Sequence, residues 1–211
     1  MEPPPMNEIE FWYEFASPYA YLAAARIERL VAGTPLRLTW RPLLLGPIFQ
    51  RRPGHASPFQ EPAPAESAYR RRDAERCAVA QGTPLAWPSI YPRSSLLAAR
   101  VALLGGDEGW IAPFSQAVYR ASFMEDRDIA APETVLAILG ALDLPGQAIV
   151  ARATQPAHKA RLASTVEEAV AKGIFGAPSL VAAGEVFWGN DRLEQAIDWA
   201  LHPALRFPRR S

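Results

Sequence analysis

The sequence predicts an α/β domain split by a helical insertion. Three observations carry that prediction. Residues 9–41 read as strand, helix, strand. The middle of the chain is helical in character for about a hundred residues. A short β-hairpin and a final helix follow. An interrupted α/β domain accounts for this order better than two consecutive domains.

Ile9 to Phe15 is rich in aromatic and β-branched residues and partly alternates, so it reads as a strand. Ser17 and Pro18 then read as an N-cap and a first-turn proline. Tyr19 to Val31 carries Tyr21, Leu22, Ala25, Ile27, Leu30 and Val31 at helical spacing, and Gly33 ends the helix. Leu36 to Arg41 alternates and forms a second strand. A crossover helix between the two strands predicts a parallel pair. Arg51 to Pro64 is a proline-rich loop. Helices are predicted over Glu66–Gln81, Ser94–Leu104, Trp110–Met124, Pro132–Leu139, Gln147–Ala153 and Leu162–Lys172, the last closed by Gly173. Ser179–Ala182 and Glu185–Trp188 are short strands around the Ala183-Gly184 turn, and Asp191–Leu201 is the final helix. The α/β domain thus comprises 8–50 and 174–204, and the helical insertion 51–173.

The composition narrows the function classes. The chain has 211 residues, 49% hydrophobic and 21% charged, which suits an ordinary globular core. Lys+Arg and Asp+Glu are both 22, so no charge excess points to nucleic acid or an anionic membrane. Lys159 and Lys172 are the only lysines. The single cysteine, Cys77, forms no internal disulfide, and no apolar run approaches the ~20 residues of a membrane span. Met1 to Glu8 shows no apolar signal region. The expectation is a soluble protein of the reducing cytoplasm. His55, His158 and His202 are scattered, so no structural metal is expected.

Three segments are candidates for chemistry. Ser17-Pro18-Tyr19-Ala20 lies at a strand-to-helix junction. A helix N-terminus offers unpaired N–H groups and partial positive charge, which stabilise an anion such as a thiolate. A serine hydroxyl there either donates to that anion or simply caps the helix. No local His/Asp pair makes Ser17 itself a nucleophile. The second segment, Gly173 to Ser179, contains Pro178 at the start of the hairpin. A cis bond would turn the Ala177 backbone outward toward a ligand peptide; a trans proline would only end a loop. The third is Phe187 to Arg192. Asn190 or Asp191 either caps the final helix or helps hold a ligand's carboxylate and ammonium.

Taken in order, Phe15-Ala16-Ser17-Pro18-Tyr19-Ala20-Tyr21-Leu22-Ala23, Gly173-Ile174-Phe175-Gly176-Ala177-Pro178-Ser179 and Phe187-Trp188-Gly189-Asn190-Asp191-Arg192-Leu193 resemble the 2-hydroxychromene-2-carboxylate isomerases. The kappa-class glutathione transferases and the DsbA family stand behind them. The resemblance covers nearly the whole chain, including Trp40 to Gly46 and the helix carrying Tyr69, Arg72, Asp73 and Arg76. It implies a thioredoxin-like, DsbA-like fold with a large all-helical insertion. Where DsbA-like oxidoreductases carry CxxC, this chain has Ser17 and Ala20, and Cys77 is expected far away on its helix. Disulfide exchange needs an attacking thiolate, so a disulfide oxidoreductase is disfavoured.

The resemblance implies instead a glutathione-dependent cis–trans isomerase acting on a small aromatic acid. Ser17 takes the place of the attacking cysteine and binds the glutathione sulfur. Ala177 and Pro178 face the cysteine of glutathione, and Trp188, Gly189, Asn190 and Asp191 hold its γ-glutamyl end. An apolar slot with a cation at one end suits the substrate, with Arg51, Arg52 and Tyr91 as candidates. The family further implies a homodimer and a part in aromatic catabolism. One departure concerns the substrate: family members carry asparagine after a Pro-x pair, whereas Pro92-Arg93 is followed by Ser94-Ser95. The alternatives are a kappa-like transferase or peroxidase, which would consume glutathione, and a non-catalytic DsbA-like protein that binds peptide along the Pro178 edge.

Overall fold

The computed structural model describes residues 8–51 and 64–202. Its elements are β1 (Glu8–Tyr13), α1 (Pro18–Val31), β2 (Arg37–Pro42), α2 (Leu45–Gln50), α3 (Pro64–Gln81), α4 (Leu96–Glu108), α5 (Ile111–Phe123), α6 (Pro132–Ala141), α7 (Gly146–Ala153), α8 (Pro156–Ala171), β3 (Ser179–Ala182), β4 (Glu185–Trp188), a 3-10 turn (Asn190–Arg192) and α9 (Leu193–Leu201). The four strands form one sheet in the order β2-β1-β3-β4. β1 and β2 are parallel, as the crossover predicts, with Phe11 opposite Trp40. β3 runs antiparallel to β1 and to β4. The sheet is therefore built from both ends of the chain, with α2 to α8 between β2 and β3.

The central strand β1 is buried on both faces. Successive side chains of a strand point to opposite sides. Ile9, Phe11 and Tyr13 join the larger hydrophobic cluster, with residues of α1, α4 to α7 and α9. Trp12 points the other way and packs with Leu43, Leu45, Ile48 and Phe49 and with Val166 and Ala169 of α8. Phe11, Trp12 and Tyr13 are fully buried. Each such side chain contributes about 1.5–3 kcal/mol from area removed from water. The aromatic core continues outward: Tyr13 meets Trp40 and Phe15 edge-on, and Phe15 leans on Tyr119.

α2 forms where no helix is predicted, α4 runs on to Glu108 rather than Leu104, and two further elements differ from the sequence reading. α8 begins at Pro156 rather than Leu162. Its first turns are mostly exposed, so they carry no apolar repeat. At the other end, neither Asn190 nor Asp191 caps α9. A 3-10 turn comes first, and Arg192 N–H donates to Gly189 O at 3.1 Å. Both residues therefore lie inside the turn, ahead of Leu193. The hairpin agrees with expectation: Ala183 and Gly184 take φ of 51° and 79°, the left-handed pair that a tight two-residue turn requires.

Candidate active site

Ser17 stands where β1 gives way to α1. Its backbone is extended, and its Oγ accepts from Ala20 N–H at 3.1 Å, so it is the N-cap. Pro18 occupies the first turn, where a missing N–H costs nothing. The same Oγ donates to Ala177 O at 3.1 Å, across 160 positions of sequence. The Ala177–Pro178 bond is cis. The fold thus brings two of the sequence candidates into direct contact. Ala177 is not free, as an outward-turned backbone would be: its carbonyl is held by the hydroxyl expected to face a ligand.

The third segment borders the same edge. Gly189 N–H donates to Pro178 O at 3.0 Å, tying the end of β4 to the cis proline. Trp188 is exposed, packs against Phe175 at 4.8 Å and covers Gly176. A Cβ at Gly176 would lie 2.4 Å from Trp188 Nε1, so glycine is what lets the indole lie there. Gly189 has φ +127°, which L side chains rarely adopt, and a Cβ there would lie 2.4 Å from Asp191 Oδ1. Asn190 is buried, its carbonyl accepts from Arg26 Nη2 at 2.5 Å, and its Oδ1 has no hydrogen-bond partner among the described residues. Asp191 projects into solvent with its side chain 70% exposed.

Helix α3 closes on this face from outside. Tyr19 OH donates to Asp73 Oδ2 at 2.8 Å, joining the start of α1 to α3. The placement of Cys77 far from the site is corrected by this packing, because α3 folds back along α1. Its thiol lies within electrostatic reach of Asp73, Asp191 and Arg26. Burial pushes the thiol pKa up, and the two aspartates add to the rise. Cys77 is therefore held as a thiol, which is a poor nucleophile.

Beyond Ser17 lies a cleft of ≈ 320 Å³, lined among others by Glu14, Ala16, Leu44, Pro47, Ser94 and Ser95. The candidate Tyr91 is partly exposed at its rim, joined by a cis bond to Pro92, which lines the cleft, and it meets Trp87 edge-on at 5.4 Å. Burial raises the Tyr91 phenol to about 12. Arg51 is not a free cation at the cleft. Its Nη1 donates to Glu167 Oε2 at 2.7 Å, and Nη2 pairs with the other oxygen, so Glu167 of α8 takes up the fork. Arg52 lies outside the described residues.

The residue that the sequence reading missed is Glu14. It is 4% exposed, although it lines the cleft. Its Oε2 accepts from Leu45 N–H at 3.0 Å, and its Oε1 faces Ser95 Oγ and, at 3.4 Å, Ala16 N–H. Burial raises its pKa, against the lowering pull of these donors. Its one sequence signal is an acid set among aromatic residues three positions before Ser17.

Among the described residues no group of His, Cys, Asp or Glu is arranged to hold a metal, and no helix is long and apolar enough to cross a membrane. The geometry offers instead a hydroxyl on a helix N-terminus, an adjacent carbonyl and a cleft.

Comparison with known proteins bears on the family and the fold. A curated 2-hydroxychromene-2-carboxylate isomerase from Sphingobium xenophagum is 25% identical over 88% of this chain and 94% of its own length. A solved structure of a 2-hydroxychromene-2-carboxylate isomerase superposes with a TM-score of 0.82, at 23% identity over 92% of this chain and 94% of that one. The cytosolic disulfide reductase DsbM from Pseudomonas aeruginosa, solved with GSH, superposes with a TM-score of 0.64, at 17% identity over 92% and 96%. The model of the DSBA-like thioredoxin domain matches residues 8–198, nearly the whole described chain, and the protein belongs to that family.

Proposed function

We propose that the protein binds glutathione over the N-terminus of α1 and isomerises 2-hydroxychromene-2-carboxylate or a similar aromatic acid. The observation that carries this reading is Ser17. It holds the capping hydroxyl of α1 at 3.1 Å from the carbonyl before a cis proline, and the family resemblance implies that this is where a CxxC protein has its thiol. Support comes from the name of the Sphingobium relative and from the DsbM neighbour solved with GSH. The residues fit the tripeptide. Asn190 Oδ1 is a buried acceptor without a partner among the described residues, and the exposed Asp191 carboxylate, 3.4 Å from Arg192 Nη2 through one oxygen, suits an ammonium.

Bound glutathione would supply a thiolate that adds reversibly to the conjugated carbon of the substrate, so that none is consumed overall. The protein's own part is electrostatic. The Ser17 hydroxyl turns from Ala177 O to the sulfur, and the first-turn N–H groups of α1 favour negative charge there. Each unit by which the thiol pKa falls corresponds to about 1.4 kcal/mol. Ala177 O, once released, accepts from the ligand's peptide N–H. The ≈ 320 Å³ cleft takes the aromatic acid.

One observation favours a second reading. Ser94 lines the cleft where the isomerases are expected to carry asparagine. Without that asparagine the cleft is less tied to the isomerases' substrate, and the same bound thiolate would serve a kappa-like transferase, which joins glutathione to an electrophile.

Calorimetric titration with reduced glutathione at several pH values tests the proposal. Wild type binds saturably and releases protons, and Ser17→Ala loses the proton release. Turnover of 2-hydroxychromene-2-carboxylate without loss of glutathione separates isomerase from transferase. No binding at cytoplasmic glutathione concentrations would overturn the reading.

A further inference from the structure

We propose that Glu14 is the general acid–base residue of this site, exchanging protons with a substrate held in the cleft. The inference rests on the isomerase reading and assigns a role to a residue which that reading leaves idle.

Glu14 is the acid among the residues lining the cleft, and it follows directly on β1, three positions before Ser17. Its carboxyl partners are all neutral: the backbone N–H groups of Leu45, Ala16 and Phe15 and the hydroxyl of Ser95. Among the described residues no cation forms an ion pair with it, in a chain whose surface glutamates pair repeatedly with arginine. Tyr119 and Tyr91, which feel its charge, are phenols held neutral by burial, and Arg93, which lines the same cleft, is turned to the Asp126 carboxylate and to the carbonyls of Asp126 and Arg127. Burial without a cationic partner favours the protonated form of the carboxyl and outweighs the opposite pull of its donors. Ser95 Oγ accepts as readily as it donates, so the contact between the two survives protonation of Glu14.

Capping does not explain the choice of an acid. Glu14 supplies the acceptor for Leu45, the first residue of α2, but an amide or a hydroxyl would do so without an ionisable group in the core. An acid at the wall of a cleft has a further use in this reaction. The 2-hydroxy carbon of the proposed substrate is a cyclic hemiketal, bonded to a hydroxyl and to the ring oxygen. Ring opening breaks the bond from that carbon to the ring oxygen. The electron pair goes to the oxygen, which takes the carboxyl proton of Glu14. The hydroxyl proton passes to Glu14, and the electrons of that O–H bond form the new carbonyl. Glu14 ends as it began, and no other reactant is needed.

Glu14→Gln tests this directly. Glutamine keeps an oxygen for Leu45 N–H and offers its NH₂ to Ser95 Oγ, losing the long contact from Ala16 N–H, but it carries no exchangeable acid. Wild-type thermal stability and glutathione affinity are expected, with turnover lowered by about a hundredfold or more. Glu14→Asp, which keeps the acid, restores part of the rate. The infrared difference between wild type and Glu14→Gln at neutral pH shows a carboxylic acid band, a readout independent of turnover. Turnover of Glu14→Gln within about twofold of wild type would overturn the proposal, because general acid–base catalysis is worth about a hundredfold or more, and so would a carboxylate band. Should Glu14→Gln fail to fold, Ser95→Ala gives a second reading. The Ser95 hydrogen bond lowers the Glu14 pKa, so its loss moves the corresponding limb of the pH–rate profile to higher pH. An unmoved limb would overturn the proposal. A wild type that binds no glutathione or turns over no hydroxychromene refutes the isomerase reading itself, before any variant is compared.

Discussion

Helices α1 and α2 both begin beside the site, and their first turns are satisfied in opposite ways. α1 is capped from within. Ser17 accepts from Ala20 N–H three residues on, and Pro18 removes one donor from the first turn. α2 has Leu44 at its cap position and no side-chain cap of its own. Its first N–H, that of Leu45, is met by Glu14, 31 positions earlier in the chain. The same physical demand, an acceptor for an unpaired helix N–H, is met locally in one case and at long range in the other. The local cap leaves its hydroxyl proton free to be shared, here with Ala177 and in the proposed complex with a sulfur. The remote cap ties the end of β1 to the starts of α2 and α4, and so builds the wall of the cleft.

The largest expected effect comes from breaking the remote cap. Glu14→Ala leaves Leu45 N–H and the Ser95 hydroxyl without their acceptor in a buried place. Each orphaned buried group costs about 1–3 kcal/mol, so a loss of about 2–4 kcal/mol is expected in urea unfolding. A loss under about 1 kcal/mol would show that α2 does not depend on Glu14, since that is the low end for a single orphaned group. The contrast between the two caps would then fail.

The local cap is cheaper to break. Ser17→Ala is expected to cost about 1 kcal/mol, whereas Ser17→Gly costs only a few tenths. Glycine separates the two roles of the position. Ser17→Gly keeps near-wild-type unfolding but lacks the hydroxyl, so glutathione binding should proceed without the wild-type proton release. A glycine variant that still releases protons would move thiolate stabilisation from Ser17 to the helix N-terminus alone.

This contrast also explains what could be read from the sequence. The start of α1 and the β3–β4 turn were legible because cap, proline and turn residues lie within a few positions of one another. The order of elements was legible from periodicity, except for α2, six residues too short to show a helical repeat, and the first turns of α8, whose exposed residues carry none. Glu14 was not legible. Nothing in the pattern of β1 separates it from Glu10, yet Glu10 meets Lys172 at 3.1 Å in the partly exposed layer, whereas Glu14 is buried. Arg51 read as a cation for the substrate because Glu167, its partner, is 116 positions away. Cys77 read as remote because its approach to the site depends on how α3 packs along α1. The cis state of Pro178 stayed open for the same reason, since its setting is made by Ser17 and Gly189.

The smallest expected effect is a pH dependence of stability, and it isolates Glu14. Burial holds the folded carboxyl above its ordinary 4.5. Between the unfolded value and the raised folded one, the native state binds more protons than the unfolded chain. Stability from this group is therefore fully present below the unfolded pKa and is lost as pH rises through the folded pKa. Asp107 and Asp126 act with the opposite sign. The Arg161 hydrogen bond lowers the first, and the Ser89 backbone N–H and Arg93 lower the second. Their contributions are present above the unfolded pKa and are lost as pH falls through the folded one. Wild type alone mixes the two trends, but the difference between wild type and Glu14→Gln removes the aspartates. Measured by urea unfolding from about pH 4 to about pH 8, that difference should turn steadily against wild type as pH rises. A flat difference would mean that Glu14 ionises alike in both states, and the remote cap would then be an ordinary carboxylate and no reservoir for a proton.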